Sequence, residues 1–179
     1  MGTINAKDLL EQYNQGYRDF SYLDLRKINL FEAYLPDINL SGSNLSQANL
    51  AYATLSRANL THAHLQNTQL RKSWLDSADL TAAQLQQASL LGAELAYAQL
   101  IGADLTGANL QQANLEQANL TAVDLSGANL SGACLEQCLL SQAKLVRCNF
   151  FRARGVDFKD VQIHPTTILP DGYPGIAER

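Results

Sequence analysis

From Phe20 to Phe150 every fifth residue is leucine or phenylalanine, 27 consecutive positions of which 25 are leucine. Neither regular secondary structure can keep such a set dry. A helix rotates ~100° per residue, so a step of five spreads the leucines around the whole cylinder. A straight strand alternates its side chains, so an odd step throws successive leucines to opposite faces. One geometry survives. A short extended piece points the leucine and the residue two before it inward, and the two residues after the leucine turn a corner.

The composition of each five-residue unit fits that geometry. Two before the leucine stands a small residue, usually alanine: Ala48, Ala53, Ala58, Ala63, then every unit from Ala78 to Ala118. Within the repeats, glycine occurs only two residues after the leucine, at Gly42, Gly92, Gly102, Gly107, Gly127 and Gly132. A corner that sometimes needs backbone freedom explains this placement. The lap length is legible in the columns. Ser21, Ser41, Thr61, Thr81, Thr121 and Ser141 fall 20 or a multiple of 20 residues apart, with Ile101 the one interruption. Ten units carry asparagine just before the central residue, and eight of those are alternate units. A lap of fifteen would mix odd and even units, whereas a lap of twenty keeps them apart. The expectation is a square coil.

Units such as Ala108-Asn109-Leu110 and Ala118-Asn119-Leu120 resemble the pentapeptide-repeat family, whose consensus is A(D/N)LXX. The resemblance implies an all-β solenoid, a right-handed quadrilateral β-helix, here of about seven four-sided coils with a short N-terminal capping α-helix. At ~4.8 Å per stacked strand the rod is expected to be roughly 30–35 Å long. The opening Leu9-Leu10, Tyr13, Gly16 and Arg18-Asp19-Phe20 is similar to that of cyanobacterial members.

The expected division is 1–16 as the capping helix, 17–154 as the β-helix and 155–179 as an irregular cap and tail. An unprotected solenoid end is a template for polymerisation. Residues 5–15 read as a helix capped by Asn5 and stopped by Gly16, with Leu9, Leu10 and Tyr13 on one side. Its platform is the first coil, where the inward small residue is enlarged to Leu23, Ile28 and Ile38. At the other end Phe158 and Ile163 are expected to continue the inward position. Beyond them Pro165, Pro170-Asp171-Gly172 and Pro174 call for irregular backbone.

The chain of 179 residues has 13 basic and 17 acidic side chains, a net charge of −4, which argues against direct nucleic-acid binding. Its N-terminus has no secretory signal and no apolar run is long enough to span a membrane, so a cytoplasmic protein is expected. No catalytic constellation, cofactor motif or metal set stands out. His62 and His64 read as solvated histidines, and Cys134, Cys138 and Cys148 as small core residues. The expectation is not an enzyme.

What remains is surface decoration. Between Trp74 and Ala143 there is no lysine or arginine, while seven acids occur. A lap of twenty gathers Tyr34, Trp74, Asp76, Glu94, Tyr97, Glu116 and Glu136 on one face, with Asp37, and with Arg57 as its one base. Exposed aromatics beside charge of one sign make this the candidate protein-binding face. Phe31, Leu91 and Phe151 share another column, with Ile101 elsewhere, and read as too dispersed for a patch. The partner is expected to be another protein, and the chain a monomer or weak end-to-end dimer. Resemblance also implies an alternative, since some family members bind DNA gyrase as mimics of DNA. The repeat region, with 11 acids and 10 bases, carries little of the negative charge a mimic needs.

Overall fold

A computed structural model describes residues 2–175. The residue before each central leucine bridges in parallel with the residue twenty positions later, from Asp19–Asn39 to Cys134–Arg154. Four units therefore complete one lap. The four sides are designated by their first-lap residues: the first side begins at 19–22, the second at 24–27, the third at 29–32 and the fourth at 34–37. Contact between laps is by single-residue bridges, so the chain is a ladder with few continuous strands.

All 27 central side chains are at most 3% exposed. Most inward small residues are also fully buried. Where that position is polar, the hydroxyl finds a main-chain acceptor: Ser43 donates to the Phe20 carbonyl at 2.8 Å, Thr68 to Leu45 at 3.0 Å and Ser73 to Leu70 at 2.8 Å. A buried hydroxyl without such a partner would cost ~1–3 kcal/mol.

The polar consensus follows from where five successive amides send their protons. Ala118 donates to the Leu115 carbonyl at 3.0 Å and closes the corner. Asn119 donates to Ala98 of the previous lap at 2.9 Å, while Leu120 and Ala122 donate to Leu139 and Ser141 of the next, at 2.7 and 2.8 Å. The remaining amide, Thr121, turns to the Asn119 side-chain oxygen at 3.1 Å. Asparagine or aspartate before the leucine thus serves an amide the ladder cannot reach. The same bond recurs at Asn39, Asn59, Asp79, Asn109 and Asn129.

The corners differ from the sequence expectation. Backbone freedom is needed at every corner: all 27 second-position residues have positive φ, and 21 of them are not glycine. Their φ values lie between 51° and 62°. With the corner-closing bond, positive φ at the third turn residue is the type II pattern. At Gly107 a Cβ would sit 2.0 Å from the Gln87 side-chain nitrogen, the far end of an exposed side chain that would have to swing aside.

At the N-terminal end β1 (Gly2–Thr3) pairs in parallel with β2 (Leu23–Asp24). The helix α1 (Ala6–Asn14) follows, with the Asn5 side chain accepting from the Asp8 amide at 2.9 Å. Leu9 and Tyr13 are buried and Leu10 is partly buried against the core. The Tyr13 hydroxyl donates to the Pro36 carbonyl at 2.6 Å, serving a first-lap acceptor that has no lap above it. The expectation of a single helical cap omitted β1.

The other end departs further. Phe158 and Ile163 do not continue the inward column; both are half-buried and bridge to nothing. Phe158 instead packs edge-on to Phe150, with ring centroids 5.3 Å apart. Thr167 takes the inward position, fully buried, its hydroxyl donating to the Leu145 carbonyl at 2.6 Å. The cause is register. Asn149 bridges Ile168, nineteen residues on, so the final lap is one residue short. The expected tail 155–179 includes residues 176–179, and the expected segment 1–16 includes Met1; these lie outside the described residues.

Candidate protein-binding face

Each side of the coil presents a ladder of residues from the position before the leucine. Of the seven rungs from the first lap down, aspartate or asparagine fills five on the first side, four on the second and five on the third. On the fourth side the rungs are Tyr34, Thr54, Trp74, Glu94, Asn114, Cys134 and Arg154, so one of seven follows the pattern. This side gives up the local bond that asparagine supplies elsewhere. Pro36, which has no amide proton to satisfy, stands at one of its corners. A side that repeatedly forgoes a favourable local choice is where function is expected to have shaped the sequence.

The structure brings all seven candidate residues to this fourth side, in three adjacent columns. Tyr34, Trp74 and Glu94 are rungs of the bridge ladder; Asp76, Glu116 and Glu136 follow their leucines; Tyr97 sits at a corner with φ of 62°. Tyr34 is 70% exposed, Trp74 54% and Tyr97 51%. Glu94 accepts from the Asn114 amide nitrogen at 3.0 Å, and Asp76 from the Ser56 hydroxyl at 2.6 Å. The Tyr97 hydroxyl accepts from Gln117 at 3.3 Å. Successive laps therefore offer Asp76, Glu94, Glu116 and Glu136, one carboxylate per lap, and none is in an ion pair among the described residues.

Asp37 behaves differently. Arg57 grips it with two bonds of 2.7 Å, and this hydrogen bonding holds the Asp37 carboxyl below its ordinary range. The Asp37–Arg57 pair is thus self-satisfied, which leaves the four carboxylates lower on the rod as the open charge. Arg57 is not the one base on this side, contrary to the sequence reading. Arg154 ends the same ladder, bridged to Cys134.

Cys134 itself is a correction. It is a half-exposed rung of this face, whereas Cys138 and Cys148 are buried as expected. Burial pushes the Cys138 thiol up to about 12 and raises Cys148 as well. At neutral pH both stay protonated and shielded, so iodoacetamide should label Cys134 first in the folded protein. Peptide mapping after brief alkylation checks this; early label on Cys138 would mean the lower rod opens readily.

His62 lies exposed at a corner of the first side and His64 is a half-buried rung of the second, between Asn44 and Gln84. The turn separates them onto successive sides. The third side holds a cluster that sequence reading missed. Phe31 meets Tyr52 edge-on at 5.7 Å, and Arg71 and Lys72 lie 5.4 and 6.0 Å from the Tyr52 ring. The column Phe31, Leu91 and Phe151 was too sparse a signal, because Tyr52 and Lys72 belong to the neighbouring column and Arg71 interrupts the apolar residues of its own.

The family model for pentapeptide repeats matches 8 copies over residues 38–73, 75–112 and 103–142, more than half of the chain. The chain belongs to the pentapeptide-repeat family. Among solved structures, it is similar to trypsin-treated QnrB1, a plasmid-mediated fluoroquinolone resistance protein, at 19% identity. That likeness covers 84% of this chain and 79% of QnrB1 with a TM-score of 0.67, and it identifies the fold as a right-handed quadrilateral β-helix. HetL, from the cyanobacterium Nostoc sp. strain PCC 7120 and involved in heterocyst differentiation regulation, is 27% identical over 96% of this chain and all of its own, with a TM-score of 0.32. A thylakoid lumen pentapeptide repeat protein from Arabidopsis thaliana is 31% identical over 54% of this chain and 65% of its own, with a TM-score of 0.47. No curated protein matches by sequence. No helix among the described residues is long and apolar enough to cross a membrane.

Proposed function

We propose that this pentapeptide-repeat chain is a non-enzymatic scaffold that binds a partner protein through the fourth side of its rod. About seven coils, spanning 17–154, supply a rigid surface, and the segments 1–16 and 155–179 close its ends. One observation carries this reading: the side that abandons the local asparagine bond is the one that displays Tyr34, Trp74 and Tyr97 beside four unpaired carboxylates. Large aromatic side chains give contact area at little entropic cost, and the carboxylates select a basic surface. Three free thiols suit the reducing cytoplasm as the place of action.

Two variants test the face. Trp74→Ala removes the most extended apolar anchor, and Glu94→Lys reverses charge at the centre of the carboxylate row. Both residues point outward, so the fold should survive. In pull-downs from the native host, each variant is expected to lose at least one partner that wild type retains. Identical recovery by all three proteins would remove this face from consideration.

The alternative is a modulator of DNA gyrase, favoured by the fold shared with a fluoroquinolone resistance protein and by the cation-free stretch from Trp74 to Ala143. The near-neutral charge of residues 17–154 weighs against it. Supercoiling assays with micromolar protein separate the two readings: altered gyrase activity supports the alternative, and unchanged activity eliminates it.

A further inference from the structure

The third side carries a one-signed charge pattern of its own. Its three outward columns hold Arg71, Lys72 and Arg152, and Glu32 in the first lap is their one acid. Elsewhere Lys7, Arg26, Arg57 and Lys144 take carboxylate partners. Among the described residues Arg71, Lys72 and Arg152 are in no ion pair and lie over aromatic rings instead. Arg71 and Lys72 stand 5.4 and 6.0 Å from the Tyr52 ring, which Phe31 braces edge-on, and Arg152 stands 5.0 Å from the Phe151 ring. A ring face holds a cation without consuming its N–H donors, so all three remain ready for a carboxylate.

Between these two cationic sites the surface is recessed. A groove of about 300 Å³ runs down the side, with Leu91 at its upper end and Gln111, Ser131 and Gly132 along its floor. Phe151 and Arg152 close its lower end, and no acid lines it. Arg71 lies directly above Leu91 in the same column. Gly172 of the tail faces the Phe151 ring, and its neighbour Asp171 accepts from the Tyr173 amide at 3.0 Å.

The dimensions select the occupant's conformation. At ~4.8 Å per lap, Leu91 to Phe151 is ~14 Å and Arg71 to Arg152 is ~19 Å. Spreading the groove's volume over ~14 Å leaves a cross-section of ~20 Å². An α-helix ~10 Å across needs about four times that. An extended chain fits, and at ~3.3 Å per residue it covers ~19 Å in about six steps. An even number of steps returns to the same face, so both ends address the rod.

We propose that this groove binds an extended acidic segment of a partner protein, lying along the rod axis with two carboxylates six residues apart. One carboxylate pairs with Arg71 and Lys72, and the other with Arg152. Two residues beyond the first acid an apolar side chain packs on Leu91, and two further on a small one lies over Ser131 and Gly132. A polynucleotide is a poorer match, because it is charged at every residue and the laps between the cations offer no base on this side. The contact uses a different side from the scaffold face and does not depend on it.

The test uses the full chain and a fluorescein-labelled heptapeptide, Glu-Thr-Leu-Thr-Ala-Thr-Glu, blocked at both ends. Fluorescence anisotropy is expected to show saturable binding. Arg152→Gln should weaken it about tenfold or more, and so should Arg71→Gln with Lys72→Gln. All three side chains are exposed, so the fold should survive these changes. The peptide Glu-Thr-Leu-Glu-Ala-Thr-Thr, of the same composition with its acids three apart, tests the spacing on the unaltered protein and should bind about tenfold more weakly or worse. Equal binding of the two peptides overturns the proposal, as does no binding at about millimolar peptide. An oligo-dT strand that binds more tightly than the peptide would assign the groove to nucleic acid and overturn it. Self-association lost in Arg152→Gln would assign the groove to a second copy and overturn it as well.

Discussion

Leu110→Ala is expected to lower the unfolding free energy by ~2–5 kcal/mol, read by chemical denaturation with circular dichroism. Leu110 is fully buried in mid-rod, with Ala108 inward beside it and Leu90 and Leu130 in the laps above and below. The lost side chain leaves both a transfer deficit and a void. Small inward alanines cannot move to fill it, because each is pinned by a corner-closing bond such as Ala108 to Leu105 at 2.9 Å. The upper half of the range is therefore favoured. A loss below ~1 kcal/mol would mean that the coil collapses around the site, contrary to a packed column.

Gln117→Pro should cost ~3 kcal/mol or more, although Gln117 is exposed on the rod surface. Its φ is +56°, whereas the proline ring holds φ near −65°. The substitution also removes the amide that donates to the Glu136 carbonyl at 2.8 Å. Gln117→Gly is the informative control, since glycine adopts positive φ without steric penalty. Glycine should leave stability within ~1 kcal/mol of wild type, while proline breaks the corner. Equal tolerance of both would contradict the left-handed corner.

These two positions also mark how far the sequence was legible. The leucine at 110 announces itself, because a five-residue spacing excludes helix and straight strand on geometry alone. The twenty-residue lap could be read from the column of Ser21, Ser41, Thr61 and Thr81. The conformation at Gln117 could not. Glutamine, tyrosine and arginine have no intrinsic preference for positive φ, and the ladder above and below imposes it at a cost of order 1 kcal/mol per residue.

The candidate face was legible as a set, because modular arithmetic alone aligns Tyr34, Trp74 and Glu94. Arg154 falls in the same column by that arithmetic and was still missed, as was the outward placing of Cys134. Why the face stands apart became visible only once Asn119 and its equivalents were seen to serve a neighbouring amide. The tail was opaque for a simpler reason. The sequence shows the register faltering at Gly155, which stands where the next central leucine would fall, but not its φ of +68° nor that a Cβ there would lie 2.7 Å from Glu136 backbone. The single-residue deficit between Arg154 and Ile168 has no compositional signature at all.

Everything assigned to a face depends on which residues become vertical neighbours. Cysteines introduced at Gln99 and Asn119, in a Cys134→Ser background, measure this directly. Bridged parallel rungs stand ~4.8 Å apart, within the Cα separation a disulfide accepts. That pair should oxidise to an intramolecular disulfide in the native protein, whereas cysteines at Gln99 and Asn114 should not. Closure of the fifteen-apart pair, or of neither, would contradict the four-sided coil and dissolve the proposed face.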